Sequence, residues 1–217
     1  MQTLTEENYL KAILKLSQSG LDKITPTAIA EEMAVNAASV IDMLKKLTEK
    51  EWITYDKKNG AGLTPEGNRL ALNIVRKHRL WEVFLCEKLK YSWDEIHEMA
   101  EQLEHIQSDD LADKLDGFLG FPQFDPHGDP IPRANGTLPK LAKILLSDKE
   151  IGDNCEVVAV KDTSVQFLQY LKQLSVVIGT TILIKDKVAF DNSLVVSIEG
   201  KMNTVSKKFA NSIFVKR

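Results

Sequence analysis

Five of the seven prolines fall between residues 122 and 139, in PQFDPHGDPIPRANGTLP. Proline fixes φ, lacks an amide hydrogen and pushes the residue before it out of the helical region, so no regular element survives that density. The chain must fold as one kind of structure before this segment and another after it. Upstream, apolar residues recur at helical spacing. Downstream come short β-rich runs, CEVVAVKD, TTILIKDK, SLVVSIEG and NSIFVKR, interrupted by one helical stretch, VQFLQYLKQL. Short strands at this spacing, five or so in all, predict a small SH3-like β-barrel.

The upstream part divides again. Residues 5 to about 19 carry Tyr9, Leu10, Ile13, Leu14 and Leu16 at helical spacing, with Thr5 as the expected N-cap, Glu6 and Glu7 in the first turn and Gly20 as the stop. Thr25 and Pro26 then open a short helix, TAIAEEM; a turn at Val35 and Asn36 leads into a second, AASVIDMLKKLTEKE. Two short helices joined by such a turn form a helix-turn-helix. WITYD and LTPEG around the Gly-rich KKNGAG predict a β-hairpin, the wing of a winged helix. Helix resumes at Pro65 through Leu89, again from about Trp93 to Ile106, and again from Asp109 to Phe118. The fold class expected is mainly α with a small β portion.

Composition excludes several classes. An apolar content of 43% and a charged content of 27% describe an ordinary globular protein. No apolar run reaches the length of a membrane span, and MQTLTEENYL has no basic stretch followed by an apolar one, so neither a membrane partner nor a secretory signal is expected. Cys86 and Cys155 lack CxxC partners, which suits two plain thiols in the cytoplasm. The net charge of −3 is unevenly spread: residues 81–150 hold 7 basic and 15 acidic residues, a balance of −8. A region this acidic either repels itself or binds cations.

Within it lies 97-HEMAEQLEHI-106. At about 100° per residue, His97, Glu101, Glu104 and His105 share one helical arc, opposite an apolar stripe of Ile96, Met99, Ala100, Leu103 and Ile106. No Lys or Arg in the segment offsets the carboxylates. His78 and Glu82, one turn apart in the preceding helix, repeat the pairing. Imidazoles and carboxylates on neighbouring helices are ligands for first-row divalent metals, and a divalent cation would neutralise the unpaired charge. No enzyme motif fits. HEMAE lacks the fifth-position His of H-E-x-x-H, E-x-x-H is not repeated on two helices, and there is no G-x-S-x-G, P-loop or dinucleotide fingerprint. Neither catalysis nor a small-molecule substrate is expected. In the helix-turn-helix, Ser39, Lys45 and Lys46 on the second helix and Lys57 and Lys58 on the hairpin suit DNA phosphates.

The stretches 76-RKHRLWEVFL-85, 97-HEMAEQLEHIQSDDL-111 and 127-HGDPIP-132, in this order of parts, resemble the diphtheria toxin repressor/manganese transport regulator family of metal-dependent transcriptional repressors. The resemblance spans essentially the whole chain. It implies a winged helix over residues 1–72, metal-binding and dimerisation helices with the linker over 73–140, and an SH3-like domain over 151–217. It further implies a homodimer that binds double-stranded operator DNA when loaded with Mn²⁺ or Fe²⁺. His78, Glu101, Glu104 and His105 match the primary metal ligands, with Glu101 in the manganese-sensing form. Asn8 stands where the family has Asp or Met, and Lys11 where one manganese sensor has Glu. For a second site, Glu82, Asp125 and His127 match family ligands, Asp162 is the expected fourth, and His97 matches an ancillary ligand of the iron-sensing branch. Pro26, Asn36, Ala38, Ser39 and Asp42 join Lys45, Lys46, Lys57 and Lys58 as implied DNA contacts. Two rival readings use the same residues: a constitutive DNA-binder with a structural metal, and a metal-buffering protein with a degenerate winged helix.

Overall fold

The computed structural model describes residues 3–217. Contacts divide the chain into two units. One holds the chain up to His78 with Glu101–Lys114 and Pro132–Thr137; the other holds Arg79–Ala100, Leu115–Ile131 and Leu138–Arg217.

The first unit is built on α1 (Leu4–Ser17), α2 (Pro26–Met33), α3 (Ala37–Glu49) and the hairpin β1 (Ile53–Asp56) and β2 (Gly60–Leu63), followed by the start of α4 (Pro65–Glu87). The cap of α1 is Thr3, two residues before the expected Thr5. Thr3 Oγ1 accepts the Glu6 amide and the Glu6 carboxylate accepts the Thr3 amide, a complete capping box that Thr5 has no partner to form. Glu6 is itself fully buried and receives Lys46 at 2.9 Å and Lys50 at 2.7 Å. Burial alone would raise its pKa, but the Lys50 hydrogen bond, the Thr3 amide and Lys46 outweigh it and hold the carboxyl at about 2. Thr25 caps α2 with Pro26 in its first turn, and Asn36 caps α3 through its side chain. Ala34 takes a left-handed φ of 53° between the two helices, making the sharp turn of the helix-turn-helix. The hairpin pairs Ile53 with Leu63 and Asp56 with Gly60. Gly67 lies so close to Trp52 that a Cβ there would come within 1.8 Å of the Trp52 carbonyl oxygen, so only glycine lets α4 pack on the hairpin. One hydrophobic core joins Leu10, Ile13 and Leu14 of α1 to Ile29, Val40, Leu44 and Leu47 of α2 and α3 and to Ile74 of α4.

The second unit contains a six-stranded sheet whose pairs are all antiparallel, in the order β3-β8-β4-β5-β6-β7. The strands are β3 (Lys143–Leu145), β4 (Asn154–Val160), β5 (Thr181–Lys187), β6 (Leu194–Ile198), β7 (Lys201–Val205) and β8 (Ile213–Lys216). β3 and β7 are the ends of the sheet and go beyond the runs read from sequence: β3 is three residues long and β7, KMNTV, is mostly exposed, so neither carries a buried alternation. Register shifts at Val157/Ala159 and Ile184/Asp186 are bulges that bend β4 and β5. Helix α7 (Val165–Gln173) buries Leu168 and Leu171, and the short α8 (Lys207–Ala210) buries Phe209.

Two further helices complete the chain, α5 (Ile96–Leu103) and α6 (Asp109–Phe118). α5 is shorter than expected at both ends. It stops at Leu103, so Glu104 and His105 lie in the turn beyond it and the single helical arc does not extend to them. Ile106, expected in the buried stripe, is exposed, while Glu104 is completely buried. The segment 122–139 holds only an isolated bridge between Phe124 and Pro130, as its prolines require.

Candidate metal centres

In the first unit, three segments meet at Glu104: α1, α4 at His78, and residues 101–107. Glu104 Oε2 lies 2.6 Å from His78 Nδ1. The same oxygen accepts the Lys11 ammonium at 2.6 Å; Lys11 also donates to Glu101 Oε1 at 2.6 Å and lies 3.3 Å from His78 Nδ1. The carboxylates expected to stand unopposed are therefore met by a cation from a helix some 90 residues away in sequence. Glu104 Oε1, by contrast, is buried with no hydrogen-bond partner, and His105 Nε2 is 3.8 Å from it.

His105 is oriented by a residue outside the expected ligand set. Its Nδ1 is 2.6 Å from Glu7 Oε2, and Glu7, itself fully buried, also accepts from Gln107 at 2.6 Å. A carboxylate only accepts, so Nδ1 carries the hydrogen and Nε2 presents its lone pair toward Glu104 Oε1. This is the carboxylate–histidine arrangement that orients imidazole ligands of metals. One position on, Asn8 Oδ1 is buried and also lacks a hydrogen-bond partner. Two orphaned buried acceptors, an imidazole lone pair and a second carboxylate, Glu101, fit a divalent cation that prefers oxygen and nitrogen donors.

The second unit holds a separate cluster. Ligand atoms of Glu82, Asp125 and His127 lie within 4.8 Å of one another, all buried. His127 Nε2 is 3.1 Å from the Trp93 carbonyl oxygen, which can only accept, so Nε2 carries a hydrogen; Nδ1 lies 3.7 Å from Glu82 Oε1. The Trp93 ring stacks on the imidazole at 5.9 Å. Asp125 Oδ1 accepts the amides of His127 and Asp129, and Asp125 Oδ2 lies 3.4 Å from Arg79 Nε. Burial, then the charges of Glu82 and Asp129, push the Asp125 carboxyl up to about 7 against the pull of Arg79 and His127. Burial works to lower the His127 pKa, but the Glu82 carboxylate outweighs it and the net shift is upward. Gly128, with φ at 85°, seats this loop on β4: a Cβ would come within 2.1 Å of the Val158 carbonyl oxygen. His97 is placed beside Glu82, with Nδ1 3.3 Å from Oε1. Asp162 is not brought into the cluster; its carboxylate accepts the Ser164 amide in a turn of its own.

On the helix-turn-helix, Ala38, Ser39, Asp42 and Lys45 are exposed along α3. Asn36 uses its side chain as the helix cap, and Asp42 pairs with Lys45 at 3.1 Å. Lys46 is held by Glu6 rather than left free, which the sequence reading of it as a phosphate contact did not anticipate. Lys57 and Lys58 are exposed at the hairpin tip.

Comparison with known proteins covers nearly the whole chain. Residues 1–61 match the N-terminal DNA binding domain of iron dependent repressors, residues 64–133 their metal binding and dimerisation domain, and residues 144–217 the FeoA domain. The chain is 30% identical over 128 residues to a diphtheria toxin repressor of Corynebacterium jeikeium, covering 59% of this chain and 53% of that protein, so the match spans about half the length of that relative. Among solved structures, a manganese-dependent transcriptional repressor in complex with manganese superposes with a TM-score of 0.87 at 34% identity, over 97% of this chain and 99% of that one. The manganese regulator SloR superposes with a TM-score of 0.78 at 36% identity, over 98% of each.

Proposed function

Since the chain belongs to the iron-dependent repressor family of metal-dependent transcriptional regulators, we propose that it is a repressor that binds operator DNA when Mn²⁺ or Fe²⁺ occupies the centre around Glu104. In the cell it works as a cytoplasmic homodimer on genes of metal homeostasis, and it is not an enzyme. Residues 1–72 act as a winged helix, 73–140 as the metal-binding and dimerisation part and 151–217 as an SH3-like domain. Among the described residues no helix is long and apolar enough to cross a membrane.

The observation that carries this reading is the position of α1. Its Glu7 pairs with His105 and its Lys11 with Glu104, and the Asn8 amide oxygen between them in sequence is buried and unpartnered, while Leu10, Ile13 and Leu14 lie in the hydrophobic core shared with α2 and α3. A metal held by Asn8, His78, Glu101, Glu104 and His105 would supply a divalent charge that fastens α1 to residues 101–105. Because a close-packed core moves as a body, fastening α1 also fixes the direction in which α3 and the hairpin are presented. Asn36, Ala38, Ser39 and Asp42 then read base edges with Pro26 at the start of α2, while Lys45, Lys57 and Lys58 meet phosphates. Lys46, tied to Glu6, contributes less. The cluster of Glu82, Asp125 and His127 is a second metal site, with His97 at its edge in place of Asp162.

Gel-shift titration of the chain's own upstream region with Mn²⁺, Fe²⁺ and Zn²⁺ in turn tests the reading. Mn²⁺ or Fe²⁺ should raise DNA affinity while Zn²⁺ raises it less, since zinc favours four ligands. Tight DNA binding without metal, unchanged by adding it, would leave a constitutive DNA-binder instead.

A further inference from the structure

We propose that the Lys11 ammonium is a resident cation filling one half of the first centre, so that this centre takes a single divalent ion in its other half, on Glu104 Oε1 and His105 Nε2 with Asn8. This rests on the metal-binding reading above and goes beyond it by dividing the five-residue donor set in two.

The division follows from the two oxygens of Glu104. Oε2 faces Lys11 Nζ and His78 Nδ1, each at 2.6 Å, whereas Oε1 has no hydrogen-bond partner although the residue is 0% exposed. A fully buried carboxylate with one oxygen unsatisfied is destabilising. Lys11 removes that penalty on one side only. It donates to two carboxylate oxygens, donors that a first-row divalent ion takes, and lies 3.3 Å from the His78 ring, so the ammonium stands where a metal could. Lys11 is attached to α1, and its side chain is only 20% exposed. An attached cation has a far higher effective concentration than a dilute free ion. The open half is supplied by different atoms: the second Glu104 oxygen, the imidazole that Glu7 orients at 2.6 Å, and the unpartnered Asn8 amide oxygen one helical turn before Lys11. One carboxylate can serve both cations because each oxygen takes one.

The test counts ions on the full-length chain carrying His127→Ala, which removes the second cluster. Equilibrium dialysis should give one Mn²⁺ per chain with Lys11 present and two with Lys11→Met, the two ions of the variant showing the altered electron paramagnetic resonance of coupled Mn²⁺. Two ions bound beside an intact Lys11, or still only one in Lys11→Met, would overturn the proposal. Amine labelling of the unaltered chain, read by mass spectrometry, provides a measure that does not depend on a variant folding. Lys11 should stay as protected with saturating Mn²⁺ as without it, and a large rise in labelling would mean that the ion displaces it. Failure of the unaltered chain to bind Mn²⁺ at all would instead remove the metal-activated reading itself, whereas one ion bound with Lys11 released would remove only this inference.

Discussion

Around Glu104 the buried negative charge is met by an amine from a distant helix; at Asp125 burial and the neighbouring Glu82 instead raise the carboxyl so that it keeps its proton to higher pH. Lys11 bridges Glu101 and Glu104 at 2.6 Å each. In the other cluster the nearest fixed cation, Arg79, lies 3.4 Å from Asp125, and the Asp125 carboxyl is pushed up to about 7 by burial and by Glu82. Both clusters pair carboxylates with an imidazole whose far nitrogen is pinned, His105 by Glu7 and His127 by the Trp93 carbonyl. On the proposed reading they differ in what a metal would do on arrival: at the first it would join the Lys11 ammonium, and at the second it would also compete with the proton on Asp125.

The largest expected effects separate the two clusters by role. His105→Ala should keep the protein folded but abolish the metal-dependent gain in DNA affinity, a coupling of about 1–3 kcal/mol, or roughly 5- to 150-fold. His127→Ala should keep most of that gain and lose one bound ion per chain. Gel-shift titration and metal analysis on both variants decide it, and a reversal of the two outcomes would exchange the roles of the clusters. Next in size is Glu7→Gln. An amide can donate to Nδ1 and reverse the imidazole tautomer, turning the lone pair away from Glu104, so Mn²⁺ affinity should fall about 10- to 100-fold with little change in fold. Calorimetry reads it, and an affinity equal to that of the unaltered chain would make Glu7 a structural residue only.

The comparison also shows what the sequence could and could not convey. The ligand types of the first cluster were legible because His and Glu recur at i, i+3 and i, i+4, those of the second only through the family resemblance, and Thr25 with Pro26 and the turn at Val35 and Asn36 announced the helix-turn-helix. The compensating groups were not. Lys11 and Glu7 sit in an ordinary amphipathic helix, and only the tertiary fold brings them to Glu104 and His105, 93 and 98 residues away. The end of α5 at Leu103 was hidden for a related reason: Glu104 and His105 continue a helical pattern, yet their partners on α1 draw them into a turn. Lys46 was read as a phosphate contact because nothing local shows that Glu6 is buried beneath it.

The proton-held cluster should reveal itself in the stability of the metal-free protein. A carboxyl raised from 3.8 to about 7 in the folded state binds a proton that the unfolded chain has already lost. Over that window the folded state holds more protons, so stability falls as pH rises from about 4 to about 7 and levels off above. The upward-shifted His127 acts in the same direction, its contribution being lost as pH rises beyond its ordinary value of 6.5. Asp125→Asn, which cannot ionise, should flatten this slope, whereas Glu101→Gln in the amine-held cluster should leave it in place. Thermal unfolding of the three proteins across this range tests the distinction, and parallel curves for the unaltered chain and Asp125→Asn would show that the proton is held elsewhere.

The smallest effect expected is at Asn8, and it probes the open side of the amine-held cluster. The Asn8 amide oxygen is buried and unpartnered, so Asn8→Asp changes little in shape while adding a full negative charge. Without metal, that charge joins a centre whose Lys11 is already shared between Glu101 and Glu104. An added buried carboxylate with no donor of its own should destabilise the metal-free protein by about 1–3 kcal/mol. With Mn²⁺ present the same charge becomes a ligand, and part of the lost stability returns as binding. Affinity should rise about fivefold, near 1 kcal/mol, because the ion's other ligands and its water are unchanged. The variant should therefore be less stable than the unaltered chain in chelator and gain more from Mn²⁺ in a thermal unfolding measurement. Calorimetry measures the affinity directly. If Mn²⁺ binds the two proteins equally, Asn8 faces away from the ion and the open half of the centre is left to Glu104 and His105, with water in the remaining positions.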